Sequence, residues 1–177
     1  MTLDTEFAPA DAPMAELLSV ILIIGQWILA IGFVCLLVMA TLMLIPGDFR
    51  TGLIADFPEG LDASTLVGRC LASAVVAMGW FFVLRLLRRV VRAVIHGDPF
   101  LPENVSRLRT IWIVIAATEV FRLVAMFIMS NSGAGSDVDG SRLDIRIGTW
   151  FFIFIIAAIS EAFRHGAALR AEQELTI

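Results

Sequence analysis

The sequence has no lysine and no tyrosine, two cysteines, two histidines and few charges of either sign. Two cysteines cannot build the disulfide framework of a small secreted domain. Charged residues make up 17% of the chain, where soluble domains carry about 25%. The net charge of −4 and pI of 5.1 exclude a protein whose whole surface binds nucleic acid. What the sequence does contain is apolar. Hydrophobic residues reach 59% of 177 residues and mean hydropathy is +0.88, too high for a soluble domain or a disordered chain. A length of this order allows one domain.

The apolar residues fall into four stretches, at residues 17–45, 66–84, 111–129 and 147–163. A hydrocarbon core about 30 Å thick needs roughly 20 apolar residues in helix. Backbone in contact with lipid must satisfy its own hydrogen bonds, so each stretch is expected to be helical. The alternation of a transmembrane barrel strand is absent. The predicted fold is all-α, an integral membrane four-helix bundle. The first stretch exceeds the minimum and can tilt or start in the interface. Its leader, residues 1–16, contains Asp4, Glu6, Asp11 and Glu16 and no arginine, which does not match the basic leader of a signal peptide. Small residues such as Gly25, Gly32, Ala72, Ala74 and Ala77 suit close helix packing.

Arginine placement predicts the orientation. Arg85, Arg88, Arg89, Arg92, Arg107 and Arg109 lie between the second and third stretches, and Arg164 and Arg170 follow the fourth. Arg50, Arg69, Arg142 and Arg146 lie on the other side. The heavier side is the cytoplasmic one by this rule, so the loop between the second and third spans and both termini are expected inside the cell, with residues 1–16 and 171–177 as tails. The outer loops, residues 46–65 and 130–144, are short and polar, and Asn131-Ser132-Gly133-Ala134-Gly135-Ser136 reads as a flexible tip.

The segment 85–109 carries most of the information. Arg85, Arg88, Arg89 and Arg92 are spaced i, i+3, i+4, i+7, which places them along one side of a helix. The second span is therefore predicted to continue to Ile95, roughly 16 Å past Leu84. His96-Gly97 is a stop signal, and Pro102 fits the first position of a new helix. Glu103 and Arg107 form an i,i+4 pair in the favourable order. Headgroup contact, worth about 1 kcal/mol per arginine, is the simpler role for the stripe. The sharper role is a docking surface for an acidic partner, and the two are compatible.

The run Gly97-Asp98-Pro99-Phe100-Leu101-Pro102-Glu103-Asn104-Val105-Ser106-Arg107-Leu108-Arg109, with arginines ahead of it, resembles the signature of a bacterial membrane family catalogued as domain of unknown function 2975. Gly97, Pro99, Phe100, Asn104 and Leu108 carry the resemblance, which spans roughly residues 17–170 together with the four-span layout. Such proteins are commonly encoded beside a small helix-turn-helix regulator, so the resemblance implies a cytoplasmic partner of that kind. An all-arginine basic set with abundant alanine and valine also points to a GC-rich bacterial genome, and hence to the bacterial cytoplasmic (inner) membrane.

Inside the third span, Glu119 and Arg122 are spaced i, i+3, roughly 12 and 16 Å beyond Ile111. A central charge costs about 2.5–3.5 kcal/mol on insertion scales. One reading is an ion or proton relay or a conformational trigger. The other, which the sequence favours because a relay needs a chain of such groups, is a pair turned inward that fixes packing. Gln26 is a candidate third member. His96 and His165 lack neighbours at metal-ligand spacing, Cys35 and Cys70 read as packing residues, and Asp137-Val138-Asp139-Gly140 lacks the closing Glu of a calcium loop. Phosphate-loop, hydrolase-elbow, zinc-protease and dinucleotide motifs are all absent. The expectation is a non-enzymatic regulatory membrane protein with no cofactor and no metal. Its partners would be the lipid bilayer, a helix-turn-helix regulator held at residues 85–109 and a further copy of the chain, with no direct nucleic-acid contact. The alternatives are a small transport or channel component using Glu119 and Arg122, and an immunity or stress protein that meets a toxin at the outer loops.

Overall fold

The computed structural model describes residues 12–45, 52, 63–95, 102–131 and 146–174. Within them the chain forms four long helices: α1 (Ala12–Leu44), α2 (Ala63–Ile95), α3 (Pro102–Asn131) and α4 (Ile147–Glu174). No strand occurs among the described residues. At 1.5 Å per residue the helices are about 42 to 50 Å long, so each exceeds a hydrocarbon core of about 30 Å. All four are long and apolar enough to cross a membrane.

Local chemistry sets the helix ends. α2 stops at Ile95 and α3 starts at Pro102, whose fixed φ and missing N–H suit a first helical position. At the start of α4, the Arg146 carbonyl accepts the N–H groups of Thr149 (2.9 Å) and Trp150 (3.3 Å). Hydroxyls within the apolar stretches bond back to their own helices. Thr41 Oγ1 donates to the carbonyls of Leu37 (2.6 Å) and Val38 (2.9 Å), and Thr118 Oγ1 donates to Val114 (2.7 Å). In lipid no water is at hand to satisfy such groups.

The extensive contacts run between chain neighbours: α1 on α2, α2 on α3, and α3 on α4. The apolar core is Val83 and Val90 of α2, Leu108, Ile111 and Ile115 of α3, and Ile153 of α4. The exterior is apolar as well. Trp27, Ile31, Ile128, Phe151 and Phe154 are each more than half exposed, Trp27 at 68%. Large apolar side chains distributed over the outside of a protein need a solvent as apolar as they are, and a bilayer provides one.

Without a hydrophobic drive between helices in lipid, packing depends on how closely backbones approach. Among the described glycines the tightest site is Gly79 of α2, which faces Thr118 of α3. A Cβ at that position would overlap Thr118 Oγ1 and lie 3.1 Å from Thr118 Cγ2. The hydroxyl cannot simply rotate away without giving up its bond to the Val114 carbonyl. Gly25 of α1 meets Leu84 Cδ1 of α2 in a similar way, where an added Cβ would be 3.1 Å away.

Gly79→Ala is therefore expected to cost about 1–3 kcal/mol, as overpacking does, and to lower the thermal midpoint in detergent. Adding Thr118→Ala removes the obstructing atoms and should recover most of the loss, as measured by thermal unfolding of the single and double variants.

Candidate functional site

The candidate site lies at the end of the bundle shared by the C-terminal part of α2, the N-terminal part of α3 and the C-terminal part of α4. α2 runs unbroken from its apolar stretch to Ile95, and Val83 and Val90 on one side of it are buried in the core with Leu108 and Ile111. The opposite side carries Arg85, Arg89 and Arg92, all exposed. Arg88 differs from these three. It is half-buried, and its Nε is enclosed with no hydrogen-bond partner. The i, i+3, i+4, i+7 stripe is therefore three outward arginines and one at the flank of the helix contact. Arg85 and Arg89 have no ion-pair or hydrogen-bond partner among the described residues.

The first turns of α3 are tied together internally. Asn104 is fully buried. Arg107 donates from Nη1 to Asn104 Oδ1 (2.9 Å) and from Nη2 to Glu103 Oε2 (2.7 Å). Its guanidinium is engaged within its own helix, so Arg107 contributes to the structure of the hairpin more than to its exposed charge. Leu108 is buried in the core. Arg109 is exposed and, among the described residues, has no carboxylate partner. Gly97, Pro99 and Phe100 lie outside the described residues, as do His96 and the acidic leader through Asp11.

Asn104, Leu108, Ile111, Ile115 and Glu119 are all buried and recur every three or four residues, so they form a single inward stripe on α3. Glu119 at its far end is 6% exposed. Arg122 Nε donates to both carboxylate oxygens at 3.1 Å, Nη2 donates to Oε1 at 2.5 Å, and Nη1 reaches Met126 Sδ at 3.0 Å. The pair is thus largely satisfied by groups of its own helix. Gln26 makes no hydrogen bond to either residue. This geometry fits a packing element. Among the described residues no three of His, Cys, Asp and Glu gather as a metal site would need, and Cys35 and Cys70 are free thiols.

A second local pair lies on α4, where the sequence offered only a topological role for Arg164. Its Nε donates to both oxygens of Glu161, at 3.1 and 3.0 Å, and His165 Nε2 lies 3.3 Å from Glu161 Oε1. The i, i+3 spacing of Glu161 and Arg164 was the available signal for this pair, the same signal that marks Glu119 and Arg122.

A family model described as protein of unknown function (DUF2975) matches residues 2–177. The chain belongs to this family. The DUF2975 match is wider than the signature around Gly97–Arg109 requires, and it takes in the acidic leader and the C-terminal tail. Neither a curated protein nor a solved structure matches the chain.

If the Glu119–Arg122 pair fixes packing, Glu119→Gln leaves a guanidinium 13% exposed without its counter-charge. Losing one partner of such a pair costs about 3–5 kcal/mol. The folded fraction in detergent should fall sharply, whereas Glu119→Leu combined with Arg122→Met should restore near-native thermal stability.

Proposed function

We propose that this family member is a non-enzymatic regulatory protein of the bacterial cytoplasmic membrane, with both termini in the cytoplasm, that holds an acidic cytoplasmic partner on the arginine-bearing end of α2. One observation carries the reading: Arg85 and Arg89 are exposed, with no carboxylate partner among the described residues, on a helix that outruns its apolar stretch by roughly 16 Å, whereas Arg107, Arg122 and Arg164 are each engaged by a carboxylate of their own helix. Arginines with nearby acids are neutralised where they stand, and arginines without them project a field toward water. A stripe on a helix leaving the membrane is more available to a protein than one lying flat among headgroups. Excess arginine at this end supports its placement in the cytoplasm. A small helix-turn-helix regulator is the partner that the family resemblance implies, and sequestration of that regulator at the membrane is the mechanism.

Two measurements test this. A reporter inserted between residues 97 and 100 should show the activity of a cytoplasmic fusion; periplasmic activity would sink the orientation and the partner together. Changing Arg85, Arg89 and Arg92 to Glu should leave membrane insertion unchanged and lower recovery of the regulator encoded in the adjacent reading frame at least tenfold in a pull-down. Unaltered recovery would count against the docking role.

A further inference from the structure

Between the N-terminal part of α3 and the C-terminal part of α4 lies a groove of about 590 Å³. Ser106, Arg109 and Trp112 line it from α3, and Ser160, Glu161 and Arg164 line it from α4. These two helices bring together side chains that are distant in the sequence, at the level where both change from apolar to charged. We propose that this groove binds the phosphodiester headgroup of an anionic lipid.

The lining supplies donors. Arg109 offers a guanidinium with no acceptor among the described residues. Arg164 keeps Nη1 free, because its contacts with Glu161 run through Nε and Nη2. Ser160 is 6% exposed, lines the groove, and donates its hydroxyl to no described residue. Glu161 is the one acid in the lining, and both of its oxygens face Arg164, with His165 beside Oε1. Its charge is answered there, so the groove as a whole presents positive charge and N–H and O–H donors. A guanidinium fork matches the oxygens of a phosphate in geometry and charge.

The surroundings specify a lipid as the source of that phosphate. Trp112 is an indole at the boundary between the charged and apolar parts of α3, the position that tryptophan favours at membrane interfaces. Below it the groove side of the two helices is greasy and open: Ile113 and Phe154 are exposed, a path along which acyl chains can lie. Basic pockets between transmembrane helices are a known solution for headgroup binding. The site would function in either leaflet, so it does not depend on the orientation or the partner proposed above.

The test uses the full chain purified in a neutral detergent, with thermal unfolding followed as lipid is added. Phosphatidylglycerol should raise the unfolding temperature saturably by several degrees, and phosphatidylcholine should not. Arg109→Gln and Arg164→Gln should each weaken the apparent affinity for phosphatidylglycerol at least fivefold, and Ser160→Ala about twofold. Arg69→Gln, which removes the same charge from the other end of α2, should leave it within twofold. Native mass spectrometry should show one tightly retained phosphatidylglycerol on the wild type and loss of that adduct in Arg109→Gln; this readout holds even if a variant is less stable. Equal stabilisation by phosphatidylcholine, equal stabilisation by inorganic phosphate at matched concentration, or an equal effect of Arg69→Gln would overturn the proposal.

Discussion

The inward stripe of α3 is the contact on which the described architecture depends. Asn104, Leu108, Ile111, Ile115 and Glu119 give this helix one buried seam, and α2 and α4 both pack on α3. In lipid that seam is not held by exclusion of apolar surface from water, because the outer faces of the helices are already in an apolar medium. It is held by fit. Gly79 lets the backbones of α2 and α3 approach until Thr118 fills the space a side chain would need, and Asn104 and Glu119 at the two ends of the seam are each joined to an arginine on the next turn. The direction of the α2 extension, and with it the exposure of its arginines, follows from how α2 sits against this seam.

The arginines divide according to whether an acid lies three or four residues before them. Glu103, Glu119 and Glu161 precede Arg107, Arg122 and Arg164 and bind them within a single helix. Such pairs satisfy the local cost of a charge near or inside lipid and contribute little to long-range potential. Arg85, Arg89 and Arg109 have no such acid. They are exposed, and they border the two surfaces to which a binding role is assigned here, the outer face of α2 and the α3–α4 groove. Arg88 belongs to neither group: its position at the flank of a helix contact comes with an enclosed, unpartnered Nε, which marks it as a point of local cost.

Much of this is legible in the sequence alone. Four helices follow from four apolar stretches of spanning length, because the hydrogen-bond requirement of lipid leaves no other form for them. The continuation of α2 to Ile95 follows from the spacing of its arginines and the stop at Gly97, and the start of α3 follows from Pro102. The Glu103–Arg107 and Glu119–Arg122 pairs are contacts between residues one turn apart, so spacing alone predicts them.

The faces were a different matter. In water a helix announces its buried side by apolar periodicity; here both sides of each span are apolar, and the periodicity that would tell inside from outside is largely erased. Nothing in the sequence therefore separated Arg88 from Arg89, kept Gln26 apart from Glu119, or joined Arg109 to Ser160 and Arg164 across two helices. Those outcomes depend on where Gly79 allowed α2 to settle on α3 and on which side of α3 was left for α4. Close packing between distant segments sets those positions, whereas the need of each backbone to bond to itself had already decided the helices.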